Sequence, residues 1–236
     1  MSGYVAPNTV KDGLIIYMDA ANIKSYPGTG VTWNNLSDIS SYGTLTYGAV
    51  YDSANNGNMI VDGVDDIITV PIAVITNAFT INIWVKPISV GSVGSTFYMG
   101  LVNHFNGYPS QRNRFLLYQT FQLLLFEAIA GGVTTAIVSD SFGNIQNKIT
   151  MCSITFDGSY FRMYVNGSSV LATPFALTGP LDIGSTTPYL GRGATSAAYY
   201  LNGQIYNYQV YNKALTPTEI LQNFNALKGR FGLWAP

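Results

Sequence analysis

Phe79-Thr80-Ile81-Asn82-Ile83-Trp84-Val85 alternates without a break, with Phe79, Ile81, Ile83 and Val85 on one side and Thr80, Asn82 and Trp84 on the other. Successive side chains of an extended chain point to opposite faces, so this period of two reads as a strand with one apolar face. Downstream, Thr150 to Phe156, then Asp157-Gly158, then Tyr160 to Val165 reads as a hairpin, because Asp-Gly tolerates the positive φ of a tight turn. Asn166-Gly167 supplies the next turn. Phe115 to Gln119 and Gln122 to Ala128 read as neighbouring strands, and Gln204 to Tyr211 as a last one. Upstream, Leu14-Ile15-Ile16-Tyr17-Met18-Asp19 is a short apolar run, as for a strand buried on both faces.

One helix stands out. Thr216-Pro217-Thr218-Glu219 is a capping box with proline at the first helical position. Ile220, Leu221, Phe224 and Leu227 follow at helical spacing, and Gly229 is placed to stop the helix. The spacing predicts a helix over about 216–228 with an apolar tail at 229–236. No internal repeat or linker breaks the chain, so one domain over 1–236 is expected. Many short strands with glycine-rich turns predict an all-β fold, a two-sheet antiparallel sandwich carrying one short C-terminal helix.

The order of segments resembles the laminin-G-like, concanavalin A-like jelly-roll family. The resemblance is carried by Gly13-Leu14-Ile15-Ile16-Tyr17-Met18-Asp19-Ala20, Trp33-Asn34-Asn35-Leu36-Ser37 and Gly43-Thr44-Leu45. Val61-Asp62-Gly63-Val64-Asp65-Asp66-Ile67 and Phe79 to Pro87 continue it, followed by the 154–167 hairpin, Leu190-Gly191-Arg192-Gly193 and the segment 202–215. At 150–153 the chain reads Thr-Met-Cys-Ser where the family often has Trp-His-His. The resemblance implies a concave face with rim loops, and members that bind sugars, bind proteins or serve as display modules. The end of the chain from Ile220 to Gly232 also resembles the ends of laminin-G-like virion proteins of tailed bacteriophages.

The chain has 236 residues, 47% hydrophobic and only 10% charged, against about 25% charged in ordinary soluble domains. High hydrophobicity with low charge excludes disorder. A net charge of −1 gives no broad drive toward nucleic acid or an anionic membrane. No stretch approaches the roughly 20 apolar residues of a membrane span. The opening MSGYVAPNTVKDG lacks the apolar run of a secretory signal, so synthesis in a cytoplasm is expected. Such a surface, resting on Ser, Thr, Asn, Gly and Tyr, suits a protein that meets its own copies or a partner, or one that works outside a cell.

Catalytic pairs are missing from the pattern. A retaining glycosidase needs two carboxylates about 5–5.5 Å apart. The chain's two glutamates are Glu127, with no acidic neighbour in sequence, and Glu219, which the helix cap explains. His104 is the single histidine, which argues against triads and zinc. Cys152, the single cysteine, sits among apolar residues as a small buried side chain.

Three candidate sites remain. Asp62, Asp65 and Asp66 are the densest acidic cluster and the candidate calcium ligands, since Ca²⁺ takes six to eight oxygens. The plainer reading of the same stretch is an Asx turn at Asp62-Gly63 with Asp65 and Asp66 solvated. Asp19 with Asn22 is a weaker alternative. Tyr199, Tyr200, Tyr206 and Tyr208 are the candidate ligand-binding aromatics, because aromatic faces stack on sugar rings. Strict alternation would put Tyr206 and Tyr208 on one face and Tyr211 on the other. Phe231, Leu233 and Trp234 are candidate interface residues, expected to dock on their own domain or on another subunit. The expected function is a non-enzymatic virion structural or adhesion protein (capsid decoration, head fibre or tail fibre) at the virion surface. Its expected partners are other virion proteins or its own copies, as in a homotrimer. The alternative is an extracellular carbohydrate-binding lectin module, calcium-assisted, that grips a cell-surface glycan.

Overall fold

The computed structural model describes residues 7–71, 78–90, 98–106, 111–118, 121–177, 181, 187–193 and 199–233. In chain order the strands are β1 (Leu14–Asp19), β2 (Thr32–Asn34), β3 (Tyr42–Thr46), β4 (Val50–Asp52), β5 (Asn58–Asp62) and β6 (Ile67–Thr69). Then come β7 (Phe79–Val90), β8 (Tyr98–Asn106), β9 (Gln111–Tyr118), β10 (Leu123–Ala130), β11 (Val133–Val138) and β12 (Thr150–Phe156). β13 (Tyr160–Val165), β14 (Ser168–Ser169), β15 (Phe175–Ala176), β16 (Tyr189–Leu190), β17 (Leu201–Tyr211) and helix α1 (Pro217–Lys228) complete the order. Among the described residues no helix is long and apolar enough to cross a membrane.

Two antiparallel sheets result. The first runs β14-β13-β12-β7-β17-β5-β4, with β1 also on β17 and β15 on β13. The second runs β11-β10-β9-β8-β16-β6-β3-β2. The expected all-β jelly-roll sandwich with one C-terminal helix is therefore the observed fold. β7 sits at its heart, with Ile83 opposite Cys152 of β12 and Tyr208 of β17. Phe79, Ile81, Ile83 and Val85 meet Phe115, Leu117, Leu124 and Phe126 of the second sheet in the main core.

The other face of β7 is also buried. Trp84, Met151, Tyr164, Tyr206 and Tyr211 form a second apolar cluster with Val10, Leu215 and Ile220. Helix α1 covers it because its apolar stripe needs a partner. Phe224 stacks on Trp84 with ring centroids 5.6 Å apart and planes 7° apart. Asn223 ties the layers together: its Oδ1 accepts from Val10 N–H at 2.8 Å, and its Nδ2 donates to the Tyr211 hydroxyl at 3.0 Å. The capping box forms as the spacing predicts, with Thr216 and Glu219 bonding each other's backbone. Gly229, however, keeps a right-handed helical φ of −63°, and one 3₁₀ turn continues over Gly229–Phe231. Gly232, at φ +67°, is the residue that turns the chain away.

That extra turn docks the tail on its own sheet. Phe231 lies 4.9 Å from the Trp84 ring and 5.0 Å from the Tyr206 ring, centroid to centroid. Leu233 packs against the same cluster. Arg230 clamps the end: its Nη1 reaches Asp19 Oδ1 at 2.6 Å, and its Nη2 donates to the Asn56 and Gly57 carbonyls. Phe231 and Leu233 are thus intramolecular contacts, and Trp234 lies outside the described residues.

Candidate functional site

The β5–β6 turn crosses from one sheet to the other at the sandwich rim. Its sequence Asp62-Gly63-Val64-Asp65-Asp66 folds tightly because Asp62 Oδ1 accepts from Val64 N–H at 2.8 Å and Gly63 takes φ +79°. The expected Asx turn and the acidic cluster are both present. Carboxylate oxygens of Asp62, Asp65 and Asp66 lie within 4.8 Å of one another. Asp62 and Asp65 are exposed, whereas Asp66 is 4% exposed. Asp66 Oδ2 accepts from Asp62 N–H at 2.9 Å, and its Oδ1 has no partner among the described residues. Loss of hydration raises the Asp66 carboxyl above the ordinary aspartate range, and the nearby Asp62 and Asp65 charges raise it further. A buried carboxylate with an idle oxygen beside two more carboxylates fits a hard cation, which takes oxygen ligands at about 2.3–2.6 Å.

The β3–β4 crossing lies beside this cluster. Thr46 pairs with Ile67, and its hydroxyl donates to the Ile67 carbonyl at 2.9 Å. The next residue, Tyr47, is 71% exposed with φ +61°. Gly48 then approaches so closely that a Cβ there would stand 2.6 Å from Asp66 Oδ1. A bulky side chain at positive φ is a steric outlier. Nothing in the local spacing flags Tyr47, so sequence reasoning missed it. The alternative pair Asp19 and Asn22 does not form a site: Asp19 Oδ1 is held by Arg230 and by Ala21 N–H, and Asn22 Oδ1 by Lys24 N–H.

The four tyrosines separate. β17 carries a bulge between Ile205 and Asn207, opposite the consecutive residues Val85 and Trp84. One extra residue there flips the alternation. Tyr206 consequently joins Tyr211 under helix α1, while Tyr208 enters the main core. Burial pushes the Tyr206 phenol up to about 12 and the Tyr208 phenol higher still. Neither offers a ring to a ligand, which corrects both the face assignment and the binding assignment. Tyr199 and Tyr200 are half-buried, under Arg114 at 5.0 Å and Arg192 at 5.3 Å respectively.

Arg114 sits on the outer face of the second sheet in a row that runs Tyr189, Asn103, Arg114, Glu127, Ala136 across β16 to β11. Its guanidinium forks onto Glu127 at 2.6 and 2.8 Å and donates to the Gly193 carbonyl at 3.1 Å. Gly193 and Tyr199 lie against this face. A Cβ on Gly100 would fall 1.9 Å from Gly193 N, so only glycine fits there. Glu127 therefore holds a structural clamp, and along this row it is the single carboxylate.

Residues 62–221 match the family described as Laminin_G_3, concanavalin A-like lectin/glucanases superfamily. No curated protein matches the chain. Among solved structures it is similar to domain 4 of AbnA, an extracellular arabinanase of Geobacillus stearothermophilus, in complex with arabinotriose. That match has TM-score 0.59 and 15% identity, and covers 89% of this chain and 97% of that one. The binding domain of botulinum neurotoxin serotype G matches with TM-score 0.67 and 14% identity over 89% of this chain and 50% of that one. Trypanosoma rangeli sialidase in complex with sialic acid matches with TM-score 0.66 and 16% identity over 92% of this chain and 33% of that one. The chain thus spans about half of the neurotoxin domain and a third of the sialidase. Identities this low speak to the fold, and fold and family agree: the chain belongs to the Laminin_G_3 family of the concanavalin A-like lectin/glucanase superfamily.

Proposed function

We propose that this chain is a non-enzymatic adhesion module that grips cell-surface carbohydrate with the help of calcium. We propose further that it is displayed in many copies on a bacteriophage particle, as a capsid decoration, head-fibre or tail-fibre subunit. The observation that carries the binding reading is the rim cluster, where carboxylate oxygens of Asp62, Asp65 and Asp66 lie within 4.8 Å of one another and buried Asp66 keeps an Oδ1 without a partner among the described residues. A bound calcium would balance three carboxylates and present open coordination positions to sugar hydroxyls. Tyr47, next to Gly48 in the neighbouring crossing, is largely exposed, and on this reading its ring is the one that stacks on a pyranose face. The sugar complexes of domain 4 of AbnA and of the sialidase belong to those proteins, and they supply the substrate class for this reading. A binding role rather than hydrolysis is supported by Glu127, whose two oxygens are both taken by Arg114. Virion display is supported by the low charge and the resemblance of residues 220–232 to virion proteins. Weak single contacts then sum through many copies.

A glycan array with and without a chelator tests the binding reading. Calcium-dependent signal on a defined set of glycans is the expected result, and silence across a broad array under both conditions would reject it. Mass spectrometry of purified particles tests the virion reading, which fails if the chain is absent from them.

Two variants sharpen the site. Because the Asp66 carboxyl is raised in the folded state, that state holds more protons than the unfolded chain between the ordinary aspartate range and the raised value. The stability of the metal-free protein should therefore fall as pH rises through that window. Asp66→Asn should flatten this dependence, raise the melting temperature of the metal-free protein near neutral pH, and abolish the rise that calcium causes in the wild type. Equal calcium-induced shifts in wild type and variant would exclude Asp66 as a ligand. Tyr47→Gly should relieve the left-handed strain and stabilise the fold by about 1 kcal/mol, while weakening glycan binding. Calorimetric melting and titration with an array-identified glycan read the two effects separately.

A further inference from the structure

Among the described residues, the strands that end the sheets are unequal. β1, six residues beside β17, has its outer side covered: Tyr17 N–H donates to Asn35 Oδ1 and its carbonyl accepts from Leu36 N–H. β2 and β4 are three residues long and β14 is two, as protected edges usually are. β11 is six residues, Val-Thr-Thr-Ala-Ile-Val, and ends the second sheet. It holds no charge, proline or glycine, and residues 131–139 include no ionisable side chain. Val133 and Val138 are 65% and 39% exposed, and Thr134 and Ala136 are exposed too. An uncharged, β-branched, open edge lacks the devices that keep edges from pairing.

The hairpin fixes which backbone groups face outward. Gly131 and Gly132 both have positive φ, 56° and 77°, as in a two-residue type I′ turn closed by Ala130 and Val133. The closing pair is hydrogen-bonded, and bonded pairs then alternate along the ladder. Val133, Thr135 and Ile137 bond inward to β10. Ile129, opposite Thr134, confirms the phase, because its N–H turns away from β11 to Asn113 Oδ1 at 3.1 Å. The N–H and C=O groups of Thr134, Ala136 and Val138 therefore point off the edge. Among the described residues none of them has a hydrogen-bond partner in the structure.

We infer that β11 is the contact between two copies of this chain, paired antiparallel into one continuous sheet across a twofold axis. Residues opposed across the axis must share a face, so their numbers sum to an even value. Centring the axis on Ala136 satisfies all three outward residues: Ala136 faces Ala136 of the second copy, and Thr134 faces Val138. The occupant is a second copy because the edge is neutral and self-matching: no charge meets a like charge, and hydroxyl and methyl groups meet one another. The contact closes at two subunits, as an isologous interface does. It does not depend on the carbohydrate reading.

Sedimentation of the full chain tests it. The wild type should pass from monomer to dimer between about 1 and 500 µM, the range of contacts smaller than a standard interface. Thr134→Lys with Val138→Lys places two like-charged pairs across the axis and should remain monomeric throughout. Its melting temperature should match that of the wild type at concentrations where both are monomeric, since both side chains are exposed. Thr134→Glu with Val138→Glu should behave likewise, and an equimolar mixture of the two variants should dimerise again. A wild type that stays monomeric at 500 µM, or a lysine variant that dimerises as the wild type does, would overturn the proposal. Positions 134 and 138 serve because Ile129 and Leu125 oppose them on β10, whereas Glu127 opposes Ala136.

Discussion

Trp84→Ala should destabilise the protein by about 3–5 kcal/mol, the cost of emptying a buried indole site. Trp84 is completely buried although it lies on the face of β7 away from the main core. Phe224 and Phe231 both lie against it, and Phe231 bridges to Tyr206. Removing the indole leaves the helix and the tail without their shared anchor. The cavity cannot close easily, because β7 is held on both sides by β12 and β17. Phe231→Ala should cost less, since Phe231 is only half-buried. Guanidinium unfolding measures both. A loss below about 1 kcal/mol for Trp84→Ala would mean that the cluster beneath α1 contributes little packing.

Arg114→Met should cost about 3 kcal/mol, because it leaves Glu127 mostly buried without its cation. Arg114 is 4% exposed and the Glu127 side chain 16%. The guanidinium also carries the Gly193 carbonyl and lies against the Tyr199 ring, so Gly193 and Tyr199 should loosen from the sheet. Arg114→Met combined with Glu127→Leu should recover most of the loss, since apolar groups of similar volume replace a buried pair at little net cost. Thermal and chemical unfolding of the single and double variants decides this. If the double variant is as unstable as the single one, the ion pair is not the source of the loss. Fluorescence of a probe at Tyr200→Cys, read in each background, reports whether the bridge between residues 192 and 200 has moved.

Much of the architecture was legible because strand period and turn chemistry are local properties. The alternation over Phe79–Val85, the hairpin after Phe156 and the capping box at Thr216 all stand where the spacing places them. β11 was not identified, although Gly131-Gly132 between two apolar runs signals a hairpin. The tyrosines near the C-terminus were misread for a different reason. One bulge residue in β17 reverses the faces downstream of Ile205, and nothing in the sequence marks it.

The acidic rim shows the division most clearly. The sequence alone singles out Asp62, Asp65 and Asp66, because no other stretch gathers three carboxylates so closely. It cannot say that Asp66 is buried with an idle oxygen, for that depends on Gly48 arriving from another crossing. Nor can it place Tyr47 beside the cluster. The tail follows the same logic: its apolar character is a matter of composition, and its docking on Trp84 is a matter of where α1 ends. Periodicity and composition are summed along the chain, so the sequence by itself determined most of the long strands, the helix and the two-sheet class. Which polar atoms lose their water, and which aromatic rings keep theirs, depends on contacts between segments far apart in sequence, and only the tertiary structure decided it.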